Sequence, residues 1–340
     1  MASEPDPESP GAQEKVLRAA REKASSAHHR VPLFYLRSFA GQNGRITILD
    51  PASGDTRSAA PRGAFAETGY YTARDEELEE MALAEVLFED FENHGSRAYR
   101  RLLGGASPAD LSVKERSYIA WLLAAQVTRG ETFREMDRQM AEGVGKKILK
   151  VGAAHSEDWW DRFQADSKER GEELPDVSRE DYVRFIESDE YTIRHSPELR
   201  TELMLSPLRD LAEIFFDFGW HTVHFEEPCL FSSEEPISYW RPPLPGFMGR
   251  GIGPLTSDEV RLPLSPQVAL ILTHPRFEFQ DRAGLGGRRA SAWINYWTWR
   301  FRPATPLVLC PDVPEHPLPS PVELCDDLFG SFTPGPVISR

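Results

Sequence analysis

Residues 113–130, VKERSYIAWLLAAQVTRG, decide how this chain folds, because they predict a helix that carries a buried charge. When residues are placed at 100° intervals, Ile119, Leu122, Gln126 and Arg129 fall on one largely apolar face. A guanidinium keeps its charge at any ordinary pH, so a buried one requires an anionic or multi-acceptor partner. The sequence therefore predicts that acids from elsewhere in the chain converge on Arg129.

The preceding residues offer such acids. Residues 75–103 are predicted to be helical, and Glu85 and Glu92 lie seven positions apart beside the apolar arc of that helix. Because the connection to the next helix is short, the two helices are predicted to pack antiparallel. That packing would bring Glu85 and Glu92 near Gln126 and Arg129.

Two interpretations of this cluster stay open. In the structural one, Glu85 or Glu92 simply pairs with Arg129 and fixes the register of the helices. In the functional one, two carboxylates exceed what one arginine needs, and the spare one binds a metal, acts as a general base or faces water.

Three further candidates lie elsewhere in the chain. His29 precedes a proline-interrupted aromatic stretch, although its neighbour His28 weakens the signal. Ser232, Ser233 and Glu234 follow one another at a predicted strand end, where they present oxygens to a cleft or cap a turn. Asn295 lies in the aromatic helix WINYWTWRF, either as a buried hydrogen-bonding residue or as a ligand contact.

The order of the elements predicts an α+β fold, with a central helical bundle packed on a mixed β-sheet built from N- and C-terminal strands. The predicted divisions are an N-terminal extension, disordered or helical, over 1–26, a single domain over 27–312 and a proline-rich tail over 313–340. The helix from Val113 is predicted to reach about residue 150, with Met136 and Met140 on the same face and a break near 143–145. The glycine-rich residues 281–289 are predicted to form a loop.

Composition narrows the class of protein. The net charge of −15 over 340 residues disfavours nucleic acid as a partner. No apolar stretch approaches the ~20 residues that span a bilayer, and no secretory signal opens the sequence, so no membrane partner and a cytoplasmic location are expected. Three cysteines show no metal-ligand spacing.

Several of these pieces together resemble the bacterial domain-of-unknown-function family 4238. The resemblance covers about residues 28–310 and is specific in the order of its parts. The matching positions are His29, Pro32, Phe34, Tyr35, Leu36, Phe39, Tyr71, Glu85, Glu92, Gln126, Arg129, Pro263–Pro266 and Asn295. The segment FSSEEP (231–236) departs from the family pattern, because Glu234 and Glu235 stand where Asp and Asn are usual. The resemblance groups these residues but implies no activity.

Three functions remain as hypotheses. The first is a hydrolase for a phosphoester, of phosphodiesterase or nuclease-like type, with His29, Glu85 and Glu92 as acid, base or metal ligands and Arg129 stabilising negative charge. Glu234 is a further metal candidate, and oxygen ligands would favour Mg²⁺ or Mn²⁺. A small phosphate-containing substrate would contact a second set, namely Tyr35, Gln126, Ser232, Ser233, Glu234 and Asn295. The second hypothesis is a non-catalytic small-ligand-binding or sensor protein in which the cluster is structural, and the third is a scaffold whose proline-rich tail binds a partner.

Overall fold

A computed structural model describes residues 10–74, 79–155, 157–169, 171, 178–242, 252–277, 281–301 and 305–313. The chain forms two compact units, one from the segments up to Gly130 and from Leu203 onward, the other from Glu131–Glu202. The single domain predicted over 27–312 stays a prediction. Most of the predicted tail, and the first nine residues of the predicted extension, lie outside the described residues.

The predicted α+β class is confirmed, with helices and several antiparallel sheets. The helices are α1 Pro10–Lys23, α2 Leu33–Arg37, α3 Leu83–Leu103, α4 Val113–Thr128, α5 Glu131–His155, α6 Glu157–Glu169, α7 Arg179–Ser188, α8 Pro197–Leu205, α9 Leu208–Asp217 and α10 Arg288–Arg300. The strands are β1 Ala27–His29, β2 Ile46–Leu49, β3 Thr56–Ala59, β4 Ala66–Thr68, β5 Ala73–Arg74, β6 Glu80–Met81, β7 Gly219–His224, β8 Ser232–Ser233, β9 Ser238–Trp240, β10 Glu259–Ser265, β11 Val268–Thr273, β12 Arg282–Leu285 and β13 Leu307–Leu309.

As far as the structure describes it, the β part of the first unit consists of two larger sheets and two two-stranded ones, β1–β4 and β5–β6. In the four-stranded sheet β3-β2-β13-β8, the N-terminal β2 pairs with the C-terminal β13, so strands from the two ends of the chain meet as predicted. All its pairs are antiparallel. The mixed sheet is instead the five-stranded β12-β7-β11-β10-β9, which comes entirely from residues 219–285.

The glycine-rich segment 281–289 is not simply a loop. Its residues Arg282–Leu285 form β12, which pairs in parallel with β7, and α10 begins directly after it at Arg288. The prediction was wrong because glycine content alone says nothing about an available sheet edge. Gly286 also lies so close to β7 that a Cβ there would be 2.4 Å from the Phe225 ring.

The helix pair α3–α4 packs antiparallel, as predicted. Phe91 stacks on Trp121 and, further along, His94 stacks on Tyr118. At Gly95 the approach is closest, since a Cβ there would lie 2.4 Å from Leu122. Both helices are shorter than expected. Helix α3 begins only at Leu83, after the short β5–β6 pairing, and α4 ends at Thr128.

The predicted helix break near 143–145 was wrong, and the helix is interrupted at residues 129–130 instead. Gly130 lacks the side chain that would favour helix, and a Cβ there would meet Glu235 at 2.5 Å. The apolar face of α4 therefore does not continue into α5, where Met136 and Met140 are exposed. Gly143 lies inside α5, where it is tolerated.

The second unit is helical. Rings of α6 and α7 form an aromatic cluster of Trp159, Trp160, Phe163 and Tyr182. The segment that follows α7 lies along α5, where His195 donates from Nδ1 to the buried carboxylate of Asp137 over 2.7 Å. Within the described residues of both units, no helix has an apolar run long enough to cross a membrane.

Candidate functional site

A cleft of about 510 Å³ opens on the first unit beside α3 and the β1–α2 segment. Its charged and titratable lining residues are His29, Arg37, Arg62, Glu85, Glu89 and Glu92. Glu85 is buried whereas Arg37 and Arg62 are exposed, so the cleft connects the interior with solvent.

Glu85 is the least conventional group in this lining. It lies in the first turn of α3, is 6% exposed, and has no hydrogen-bond or ion-pair partner among the residues that the structure describes. Burial raises its pKa from 4.5 to about 7, and the negative charges of Glu92 and Glu89 add to that rise. Arg129 and Lys23 act in the opposite direction without cancelling it.

Arg129 has the partners that its burial requires. It is 1% exposed, and its Nη1 donates to Glu92 Oε1 over 2.8 Å. Its Nε and Nη2 donate to Gln126 Oε1 over 3.1 and 2.9 Å. The Phe88 ring lies under the guanidinium, 5.5 Å from it. The predicted convergence of an acid on Arg129 is thus confirmed, and Glu92 is the acid that pairs while Glu85 is the spare one.

Gln126 extends this network toward β8. Its Nε2 donates to the backbone oxygen of Arg30 over 3.3 Å, and the Arg30 guanidinium lies 2.7 Å from Glu234 Oε1. Gln126 therefore links the Arg129–Glu92 pair to the backbone of Arg30, whose side chain pairs with Glu234. Glu234 does not line the cleft.

The two adjacent histidines differ in role. His29 lies on β1 and lines the cleft. Its Nε2 donates to the Arg62 carbonyl over 2.9 Å, so Nδ1 is the ring nitrogen that this hydrogen bond does not use. His28 is fully buried, accepts at Nδ1 from the Tyr71 amide and donates from Nε2 to the Lys23 carbonyl, both over 2.9 Å. Burial lowers the pKa of His28, so it is a neutral structural residue.

Tyr35 and the two serines lie in the interior, away from the cleft. The Tyr35 hydroxyl donates to the Pro263 carbonyl over 2.6 Å and accepts from Ser232 over 2.5 Å. Burial raises the pKa of Tyr35 well above its usual value. Ser233 is also buried, and its hydroxyl has no partner within the described part of the chain.

Asn295 fastens α10 to the segment that leads into β8. Its Nδ2 donates to the Cys229 carbonyl over 2.8 Å, and its Oδ1 accepts from the Phe231 amide over 3.2 Å. Both ends of the amide are therefore engaged by backbone, as expected for a buried asparagine with a structural role.

The candidate residues therefore separate into two groups. His29, Glu85 and Glu92 share the cleft, with Arg129 directly behind Glu92. The others, Tyr35, Gln126, Ser232, Ser233, Glu234 and Asn295, lie outside its lining. Tyr35 and Gln126 line a separate apolar cavity of about 30 Å³.

Sequence reasoning missed Arg37 and Arg62. Arg37 ends α2 and Arg62 lies in a single 3₁₀ turn, Pro61–Gly63. Neither guanidinium has a partner among the described residues, although both line the cleft. Exposed arginines without a motif give no signal in a sequence, because only the fold brings them beside His29.

The described residues contain no group of three or more His, Cys, Asp or Glu side chains arranged to hold a metal. Of the metal candidates, Glu92 and Glu234 each hold an arginine, which leaves Glu85 alone.

Comparison with known families finds a match over most of the chain. Residues 27–286 match the profile of a family described as protein of unknown function, DUF4238. No curated protein and no solved structure matches the chain.

Proposed function

Since the chain belongs to the DUF4238 family, whose description names no activity, we propose a function from the cleft itself: hydrolysis of a phosphoester or related bond in a small anionic substrate. The single observation that carries the proposal is a partnerless, buried Glu85 carboxyl with a pKa of about 7 in a solvent-connected cleft. A group that is half protonated near neutral pH is suited to transfer protons in both directions.

Charges around the cleft favour an anionic substrate. Arg37 and Arg62 line it with guanidinium groups that no described acid neutralises. A guanidinium group suits phosphate because its planar donors match the phosphate oxygens. The net charge of −15 would repel long nucleic acids, so a small phosphate-containing molecule fits better than DNA or RNA.

The reaction needs a base and an acid. The ionised carboxylate of Glu85 takes the proton from an attacking water as the new oxygen–phosphorus bond forms. The bond from phosphorus to the leaving oxygen breaks, and His29 donates a proton to that oxygen. Arg37 and Arg62 stabilise the negative charge that develops on the phosphoryl oxygens.

Glu92 and Arg129 position these groups instead of reacting. The pairing over 2.8 Å holds the Glu92 carboxylate in place near Glu85, and the negative charge of Glu92 helps to raise the pKa of Glu85. Arg129 would therefore act through Glu92 rather than on the substrate, which revises the role that the sequence suggested for it.

A second candidate is a non-catalytic binding or sensor protein. The complete engagement of Arg129 by Gln126 and Glu92 favours it, because a fully paired network can serve packing alone. Both candidates use the cleft to bind an anion, and they differ in whether a bound phosphoester is hydrolysed.

The test compares the full chain with Glu85→Gln, using p-nitrophenyl phosphate and bis-p-nitrophenyl phosphate as substrates and inorganic phosphate as the binding probe. We expect Glu85→Gln to bind phosphate but to lose about 100-fold or more in rate, together with the pH dependence near 7. Asp90→Asn, on an exposed position of the same helix, is the matched control and should keep the wild-type rate.

Two results would count against the proposal. If Glu85→Gln hydrolysed the esters at the wild-type rate, Glu85 would not be the proton-transfer group. If the wild-type chain bound phosphate without hydrolysing either ester, the binding or sensor function would replace it.

A further inference from the structure

The cleft is much larger than the group on which the proposed reaction acts. Its volume of about 510 Å³ lies in the range of roughly 300–1,000 Å³ that is typical of sites for drug-sized ligands, whereas a phosphoryl group consists only of phosphorus and its oxygens. The remaining volume is available to the organic part of the substrate. The lining of that part of the cleft therefore indicates which kind of phosphoester fits.

One end of the cleft holds groups that are assigned to the reaction. Glu85 lies in the first turn of α3, and Phe88 follows one turn later. The Tyr71 ring packs edge to face with Phe88, 5.3 Å between ring centres, and the Tyr71 hydroxyl donates to the His29 carbonyl over 3.3 Å. His29 Nε2 in turn bonds the Arg62 carbonyl. We call this the reaction end, defined by Glu85, His29 and Arg62.

The other end, which we call the far end, is defined by Phe34, Asn93 and Ser96. Asn93 and Ser96 follow Glu85 on the same face of α3, about 12 and 17 Å along the helix axis. Phe34 lies there too, because its ring meets that of Tyr99, about one turn after Ser96, with 5.0 Å between ring centres. A single phosphoryl group at Glu85 does not extend to these residues, so a ligand that fills the cleft is elongated.

The far end combines an apolar wall with uncharged hydrogen-bonding groups. Leu33 and Phe34, in the first turn of α2, are half-buried and line the cleft. On α3 the acids of the lining end with Glu92, and the lining residues after it are Asn93 and Ser96. An aromatic wall favours a flat ring packed against it. Amide and hydroxyl groups bond polar atoms at the edge of such a ring.

Phe34 is held in place by its neighbours. Its ring meets Tyr99 at 74°, and the Tyr99 hydroxyl donates to the Leu264 carbonyl. The next residue, Tyr35, donates to the Pro263 carbonyl over 2.6 Å, so α2 and α3 are both anchored to β10. A preorganised wall binds a ring with a smaller loss of conformational entropy than a mobile one.

We propose that the cleft takes a phosphoester whose organic part is an aromatic ring with polar atoms at its edge, packed on Phe34 and hydrogen-bonded by Asn93 and Ser96. This inference rests on the proposed function, because the phosphoryl group must bind at the reaction end. It adds the substrate class. Phe34, Asn93 and Ser96 then determine specificity by touching the substrate, and they take no part in proton transfer.

The first experiment titrates the full chain with phosphonates in a calorimeter. Their phosphorus–carbon bond resists the proposed hydrolysis, so binding is measured alone. The probes are methylphosphonate, cyclohexylmethylphosphonate and benzylphosphonate, which share the anionic group and differ in the organic part. We expect benzylphosphonate to bind at least about tenfold more tightly than methylphosphonate, and more tightly than its saturated cyclohexyl counterpart.

A conservative variant tests the aromatic wall. Phe34→Leu keeps an apolar side chain but removes the ring, so benzylphosphonate should lose its advantage over cyclohexylmethylphosphonate while methylphosphonate binds as before. Phe277→Leu makes the same change at an exposed phenylalanine outside the cleft lining and should leave all three affinities unchanged. Unchanged circular dichroism and melting temperature show that each variant is folded.

A second pair of probes tests the hydrogen-bonding groups. We expect 3- or 4-hydroxybenzylphosphonate to bind at least about threefold more tightly than benzylphosphonate. The double variant Asn93→Ala with Ser96→Ala should lose this gain and bind benzylphosphonate like wild type. Benzylphosphonate is thus the internal control for the fold of the cleft. No gain from either hydroxyl would overturn the assignment of a polar ring edge.

Two results would overturn the aromatic assignment. One is a wild type that binds benzylphosphonate no more tightly than methylphosphonate or the cyclohexyl compound, and the other is a Phe34→Leu protein that keeps the preference. Failure of the proposed function is distinguishable. A chain that prefers the ring but hydrolyses neither nitrophenyl ester keeps the ligand class and loses hydrolysis, whereas one that hydrolyses both esters without preferring the ring keeps hydrolysis and loses the ligand class.

Discussion

Two buried arginines show two ways of keeping a cation inside this protein. Arg129, beside the cleft, is 1% exposed and has hydrogen bonds from three nitrogens to Gln126 and Glu92. Arg261, on β10, is 0% exposed, yet among the described residues only its Nη2 has a partner, the carboxylate of Glu259.

Aromatic rings account for part of the difference. The Arg261 guanidinium lies against both Trp240 and Trp293, 5.3 and 5.0 Å from their ring centres. Such cation–π contacts contribute about 2 kcal/mol each when desolvated, less than a full set of hydrogen bonds to a guanidinium. Burial lowers the pKa of Arg261. Arg129, in contrast, is paired with Glu92, whose carboxylate also lines the cleft. Equal burial therefore does not imply equal roles: one site is linked to a titrating cleft residue and the other is closed.

The largest effect should come from removing the acid that holds Arg129. Glu92→Ala leaves a buried guanidinium with one amide partner, and we expect it to lower the free energy of unfolding by about 3 kcal/mol. Urea unfolding at pH 7 measures this, with exposed Asp90→Ala as the control that should change it by less than about 0.5 kcal/mol. A loss below about 1 kcal/mol would mean that cleft water replaces Glu92.

Glu85→Gln should have the next largest effect, with the opposite sign. The folded protein keeps the Glu85 proton up to about pH 7, whereas the unfolded chain releases it near 4.5. Between these values the folded state binds more protons, so its stability falls as pH rises, and the loss is complete above pH 7. Glu85→Gln should therefore be about 2 kcal/mol more stable than wild type at pH 8 and equal to it below pH 4.5.

The measurement is the difference in unfolding free energy between the two proteins across pH 4.5–8. A constant difference would show that Glu85 ionises at its ordinary pKa. Repeating the series in Glu92→Gln sharpens the comparison, because removing that charge should move the midpoint to lower pH.

At the other arginine, Arg261→Met should cost less and be reversible by a second change. The single variant leaves the buried Glu259 without its partner, at about 2 kcal/mol, and Arg261→Met with Glu259→Gln should recover to within about 1 kcal/mol of wild type. A double-mutant cycle in urea measures the coupling. If the double variant were as unstable as the single one, the stacking on Trp240 and Trp293 would be the dominant contribution.

The smallest effect is expected from Ser112→Ala, which weakens helix α4 without changing the ion pair and therefore serves as a control. Ser112 caps α4, accepting from the Glu115 amide while Glu115 Oε2 accepts from the Ser112 amide over 2.9 Å. Ser112→Ala should cost about 1 kcal/mol and leave the titration near pH 7 unchanged. A shifted titration would mean that any loss of α4 stability, and not the ion pair specifically, controls Glu85.

Much of the arrangement around Arg129 follows from the sequence. An arginine among apolar residues at helical spacing must find an acid, and a short connection leaves few ways to supply one, so the pairing of α3 with α4 was predictable. The helix break at Gly130 was not, because Gly143 and Gly145 are accommodated inside α5, and only the packing shows that Glu235 occupies the space of a Cβ at Gly130. The sequence also could not show which of Glu85 and Glu92 would pair with Arg129, since both lie beside the same apolar face of their helix.

By itself, the sequence determined the α+β class, the meeting of N- and C-terminal strands and the convergence of an acid on Arg129, because each depends on local periodicity and on the cost of a buried charge. Only the tertiary structure decided which carboxyl is left over, that Arg37 and Arg62 join it, and that Tyr35, Ser232 and Asn295 lie elsewhere. The physical reason is that pKa and solvent access depend on neighbours far apart in sequence, which no spacing along the chain encodes.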